Sequence, residues 1–170
     1  MMKELGKRIC IIGPSNSGKS TLAQELGRLL DLPVFHLDRL AHKPYSNWER
    51  VPDDEFVRLH DDIAVQDDWI IDGNYSVAMP QRFARADTVI WLDPPLFGCI
   101  IRYAMRSLMG ARTRPGGLDG AKKEFGLGLV KFTLFNYPRN KKRYKNLLVQ
   151  FPHLKIYRFN RMIKADRDLV

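Results

Sequence analysis

Cysteine is scarce in this chain: of 170 residues only Cys10 and Cys99 carry thiols. Both lie in apolar runs and neither belongs to a Cys-x-x-Cys or Cys/His spacing, which argues against a zinc module, a redox pair or a disulfide-framed secreted fold. They read as buried free thiols in a reducing compartment, not as nucleophiles. Long hydrophobic runs are missing too. MMKELGKRICIIG at the N-terminus has an apolar run too short for a signal peptide or a membrane span, so a soluble cytoplasmic protein with no membrane partner is expected. There is no repeat, linker or low-complexity tract, and 45% hydrophobic residues are enough for one sizeable core, so a single domain is expected over residues 1–170.

Acid is in short supply in one half only. Residues 101–170 hold 17 Lys+Arg against 4 Asp+Glu, a net of +13, while residues 1–100 hold 11 against 15, a net of −4. The basic half needs an anionic partner, either a nucleotide's phosphates gripped by a few arginines or a nucleic-acid backbone on a broad positive face.

Short β-branched or apolar runs at 7–12, 33–38, 68–74, 86–93 and 153–159 read as five strands. Helices are expected between them. From Lys19, the residues Leu22, Leu26, Leu29 and Leu30 share one face up to Pro33, and Phe56, Leu59 and Ile63 share another behind the acidic opening PDDE. A third helix follows Pro94-Pro95 through Ile100, Ile101, Met105 and Leu108, and residues 121–150 read as one or two helices broken near Pro138. Residues 40–52 read as an irregular loop, residues 110–120 as a glycine-rich basic one, and a short helix as the end of the chain. Alternating strands and helices imply an α/β fold whose parallel sheet is covered on both faces, with ligands at the carboxyl ends of the strands.

Residues 13–20, GPSNSGKS, match G-x-x-x-x-G-K-[ST] between the first strand and the first helix. In such a loop, formed here by Gly13, Pro14, Ser15, Asn16, Ser17, Gly18 and the helical turn of Thr21, the glycines let backbone N–H groups turn inward around phosphate oxygens, Lys19 reaches the β- and γ-phosphates, and Ser20 coordinates Mg²⁺. The implied cofactors are ATP and Mg²⁺. Asp38, Asp72 and Asp93 each end an expected strand: Asp72 is placed to hold metal waters, and Asp38 to orient an acceptor hydroxyl and draw its proton. For each, capping of the next helix or turn is the competing reading.

With Leu37-Asp38, Trp48, Arg50, WIIDGNYS at 69–76, Arg82 and ADTVIWLDPP at 86–95, the chain resembles the adenylate-kinase-like P-loop kinases, and within them the small proteins labelled topology modulation proteins. That resemblance implies a three-layer P-loop fold with a five-stranded parallel sheet, an acceptor-binding insertion over about 38–66 and a lid over about 107–120. It also implies adenine packing by Arg102 and phosphate contact by Arg106, which at i and i+4 share a helix face. Arg112 and Arg114 fall in the lid, and Arg139 or Arg143 would add a further arginine. The turn IDGNYS departs from the LDGFPR-like turn of adenylate kinases, which weakens AMP as acceptor, and Asp38 is similar to the strand-ending acid of shikimate- and gluconate-type kinases. His36, Arg39, Tyr45, Trp48, Arg50, Tyr75 and Arg82 are the candidates to line an acceptor pocket. The expectation is a phosphotransferase with Lys19, Asp38 and Arg106 as catalytic residues and a small-molecule or nucleotide acceptor. A DNA-associated protein and an NTPase switch are the alternatives.

Overall fold

A computed structural model of the chain describes residues 4–46, 48–109, 115–118 and 132–169, with backbone alone at 106–109 and 132–133. Along the chain run β1 (Arg8–Ile12), α1 (Lys19–Leu30), β2 (Val34–His36), α2 (Leu37–Leu40), α3 (Asp53–Ala64), β3 (Trp69–Asp72) and α4 (Met79–Arg85). They are followed by β4 (Thr88–Leu92), α5 (Leu96–Met109), a π-helical turn (Phe132–Asn136), α6 (Tyr137–Leu148), β5 (Lys155–Phe159) and α7 (Ala165–Asp168). The strands form one parallel sheet in the order β2-β3-β1-β4-β5. All residues of β3 and β4 are buried, as a sheet covered on both sides requires.

Strand alternation feeds two cores. Ile9, Ile11, Ile70, Ile90 and Leu92 face Leu22, Ala23 and Leu26 of α1, together with Leu5, Ile163, Ala165 and Leu169. The other side presents Cys10, Ile12, Trp69, Ile71, Val89 and Trp91 to Leu37, Phe56, Ile63, Met79, Phe83, Tyr144 and Leu148. Both cysteines are buried free thiols. Burial pushes the Cys10 thiol up to about 12, so it is inert as a nucleophile.

Several local expectations are corrected. β2 stops at His36, and Asp38 lies in the first turn of α2 instead of at a strand end. α1 ends because Asp31 enters the left-handed region at φ 54° and closes on the Gly27 carbonyl, before Pro33 is reached. Leu29 is 40% exposed, off the buried face. In α5 the inward positions are Cys99 and Tyr103, while Phe97, Ile101 and Met105 point outward at 74%, 43% and 53% exposure. α4 was not anticipated: seven residues carry too little periodicity to announce a helix. Among the described residues no helix is long and apolar enough to cross a membrane.

Candidate active site

The phosphate loop joins the carboxyl end of β1 to the N-terminus of α1. Its turn is built from left-handed backbone at Asn16 (φ 62°) and Gly18 (φ 92°), a conformation that aims successive N–H groups inward. Gly13, at φ 152°, is confined because a side chain there would run into the Leu92 carbonyl. Gly18 is the N-cap of α1, with no side-chain cap and no acid among the helix's own first-turn residues to offset its positive end. Lys19 Nζ bends back over the loop and donates to the Pro14 carbonyl at 2.9 Å.

Register places the acidic partner. β2 and β3 pair His36 with Asp72, and β1 and β3 pair Ile11 with Asp72, so the carboxylate emerges beside the loop. Ser20 Oγ donates to Asp72 Oδ2 at 2.7 Å, and Asp72 Oδ1 is bonded to His36 Nδ1. No group of three or more His, Cys, Asp and Glu side chains among the described residues could cage a metal ion. What the donors fit instead is a cation shared by one hydroxyl, waters and phosphate oxygens, the usual habit of Mg²⁺.

One cleft of about 880 Å³ runs from this loop to a second cluster of polar side chains. Pro14, Ser15, Asn16, Gly18, Lys19, Ser20, Thr21 and Asp72 line one end; Asp38, His42, Trp48, Arg50, Asp53 and Tyr75 line the other. Tyr75 Oη donates to Asp38 Oδ1 at 2.7 Å, which leaves Asp38 Oδ2 for another donor. Burial, reinforced by Asp38, raises the Tyr75 phenol well above its ordinary value, so it stays a donor at any working pH. Trp48 sits at φ 62° against the edge of His42, 5.1 Å between ring centroids, on a loop closed by the His42–Arg50 bridge. Arg50 Nη2 is paired with Asp53 Oδ1 at 2.9 Å.

Other sequence-named residues fall elsewhere. Gly13 and Ser17 shape the loop from beneath and do not line the cleft. Arg82, named as an acceptor contact, is fully buried: α4 turns it under the IDGN turn, where Nη2 donates to the carbonyls of Gly73 and Asn74 at 2.8 and 2.7 Å. It is a brace for that turn. Among the candidate acceptor-lining residues, His36, Arg39 and Tyr45 also miss the cleft. Arg102 Nε donates to the Asn16 carbonyl at 2.9 Å, tying α5 to the phosphate loop. Asp93 accepts from Lys141, Tyr137 and Arg158. Burial alone would raise its pKa, but those three donors outweigh it and hold the carboxyl below the ordinary range. The side chain of Arg106 and all of Arg112 and Arg114 lie outside the described residues.

Of the expected lid, residues 115–118 are described and lie over the cleft. Arg39 Nε donates to the Gly117 carbonyl at 2.9 Å, and a methyl group at position 116 would stand 2.9 Å from Ser20 Oγ and 3.0 Å from His36 Nδ1. Of the two post-lid arginines, Arg143 reaches the rim, donating to Ser76 Oγ at 3.2 Å. Several residues of the site, His42 and Asp53 of the cleft among them, carry no role in the sequence reading. Asn74 clamps Gly13 on both sides, accepting from its N–H at 3.1 Å and donating to its carbonyl at 2.8 Å. Asn140 and Tyr144 reach the cleft from α6, where spacing of four aligns them; their basic neighbours hid that face in the sequence.

No family model and no curated protein sequence matches this chain. Solved structures do. A shikimate kinase from Acinetobacter baumannii, in complex with shikimate, superposes at a TM-score of 0.57 with 15% identity, covering 99% of this chain and 92% of that one. A gluconokinase from Sinorhizobium meliloti 1021 gives 0.53 with 16% identity, covering 91% and 83%. The narrower resemblance to topology modulation proteins rests on its motifs alone. The five-stranded parallel sheet with helices on both faces is the adenylate-kinase-like P-loop kinase fold of these two enzymes.

Proposed function

We propose that the protein is an ATP-dependent phosphotransferase that moves the γ-phosphoryl group of ATP to a hydroxyl of a small-molecule acceptor. The observation that carries this reading is the shared cleft: the phosphate loop and the Asp38–Tyr75 pair are two ends of one space. The loop amides and Lys19 hold the phosphates, and Ser20, backed by Asp72, offers the cation its hydroxyl. Mg²⁺ bound with the nucleotide would be held by Ser20 and waters and would supply charge neutralisation for the phosphoryl group in transfer. At the far end the acceptor hydroxyl donates to the free oxygen of Asp38, which Tyr75 keeps aligned. The bond from the bridging oxygen to γ-phosphorus breaks, the acceptor oxygen bonds to phosphorus, its proton passes to Asp38, and ADP leaves. Residues 115–118, with Arg106 and the lid arginines as phosphate contacts, close the site against water.

The test measures ADP release from ATP·Mg²⁺ with and without a panel of nucleosides, nucleoside monophosphates and sugar-like alcohols. An acceptor-dependent rise is expected; ADP release that no acceptor accelerates overturns the reading. Asp38→Asn is expected to keep nucleotide affinity and lose transfer by about 10²-fold or more. Retained transfer removes Asp38 as base.

A further inference from the structure

Four side chains form a closed polar frame behind the phosphate site, and two of them have no part in the function argued so far. α1 contributes Ser20 and Gln24, four residues apart and so on one helix face. The sheet contributes His36 and Asp72, which are register partners in β2 and β3. Gln24 Nε2 lies 2.9 Å from His36 Nε2, His36 Nδ1 is bonded to Asp72 Oδ1, and Ser20 Oγ donates to Asp72 Oδ2 at 2.7 Å. The side chains of His36 and Asp72 are each only 5% exposed.

The chain of donors fixes each proton. An amide N–H of Gln24 donating to Nε2 places the ring proton on Nδ1, from which it donates to Asp72. With Oδ1 held, the carboxylate presents Oδ2 to Ser20. The Ser20 hydroxyl then spends its single proton on the protein, which leaves its lone pairs for a ligand in the cleft that Ser20 lines.

We propose that His36 is a positioning residue for the cation arm of the site: its Nδ1–H locks the Asp72 carboxylate so that Ser20 turns its lone pairs to the nucleotide-bound Mg²⁺, and Gln24 selects the ring tautomer that makes this possible. The inference deepens the phosphotransferase reading and rests on it. His36 touches neither nucleotide nor acceptor. Without it the Asp72 carboxylate is free to rotate, and the hydroxyl loses the fixed direction of its acceptor.

The test is a binding experiment that needs no turnover. ADP affinity is measured by calorimetry with and without Mg²⁺ for the wild type, His36→Leu, His36→Asn and Gln24→Met. His36→Leu is expected to lose about 10–100-fold in Mg²⁺-dependent affinity while metal-free ADP binding holds. His36→Asn, whose amide N–H stands near the position of Nδ1–H, is expected to recover most of it, and Gln24→Met to lose less than His36→Leu but in the same direction. If His36→Leu binds Mg²⁺·ADP like the wild type, or weakens binding equally with and without Mg²⁺, the proposal is overturned and the phosphotransferase reading stands. If His36→Leu does not fold, the exposed position Gln24 decides: unchanged Mg²⁺ dependence in Gln24→Met overturns the proposal. Wild-type protein that binds no ADP under either condition overturns the phosphotransferase reading itself.

Discussion

Tyr75 makes one hydrogen bond that the proposed chemistry depends on, the donation to Asp38 at 2.7 Å. A bond to a charged acceptor contributes about 1.5–3 kcal/mol, so Tyr75→Phe should cut transfer roughly 10–100-fold and leave nucleotide affinity unchanged, which steady-state kinetics and calorimetry together will show. His60 gives a different single-residue test. Its ring is fully buried in α3. Burial pulls its pKa below the usual 6.5, only partly offset by the bond to Asp61. The folded state therefore resists a proton that the unfolded chain accepts near 6.5. Its contribution to stability is complete above that pH and drains away as pH falls toward the depressed folded value, at up to about 1.4 kcal/mol per pH unit. Asp87 and Asp93, both held below 3.8, add their own loss only in stronger acid. Thermal melts between pH 7.5 and 5.5 should show the midpoint falling in the wild type and a flatter curve in His60→Gln; parallel curves count against this account.

At the scale of elements, Asp93 is the joint through which α6 and β5 are pinned to the end of β4, since it takes Lys141 from one, Arg158 from the other and Tyr137 at the start of α6. The two cations are about a third exposed, at 34% and 36%, so water screens part of the attraction. Asp93→Asn should still cost about 1.5–3 kcal/mol, a fall of roughly 3–12 °C in the melting midpoint of a chain this size. Elements also set the boundary of what the sequence discloses. The phosphate loop was readable because a strand, a turn and a helix N-terminus adjoin one another, so eight consecutive residues carry the whole device. Asp72 was readable because its strand is apolar up to that position. The frame of Gln24, His36, Asp72 and Ser20 was not, since it depends on which strand neighbours β1 and on the register between β2 and β3, neither of which any single segment encodes. Arg82 misled for the same reason: its distance along the chain from the IDGN turn is compatible with reaching into the cleft or bracing the turn from below, and only the direction in which α4 leaves that turn decides.

Over the whole molecule, part of the basic half's charge is already engaged within the fold, with Asp93 of the acidic half taking two of its cations. Lys141 and Arg158 serve Asp93, Arg143 reaches Ser76, and Arg161 and Arg167 both pair with Asp168. A duplex-DNA titration at two salt concentrations is expected to show no tight complex; strong binding that collapses steeply with salt would restore the nucleic-acid alternative. The proposed lid gives a second test at this scale. Gly116 has φ +72° and rests against Ser20 and His36, so Gly116→Val should keep the melting midpoint within a few degrees and lower transfer at least about tenfold by propping the cover open. One arrangement within the cores bears on how the chain becomes a protein at all. Leu5 shares a core with Ile163, Ala165 and Leu169, and Glu25 of α1 accepts the Ala165 amide at 2.9 Å. During synthesis β1 and α1 emerge early, but their apolar side is sealed by residues that follow some 140 positions later. Until residues 163–169 dock, then, every motif of the phosphate site stands on a core whose far side is still unsealed.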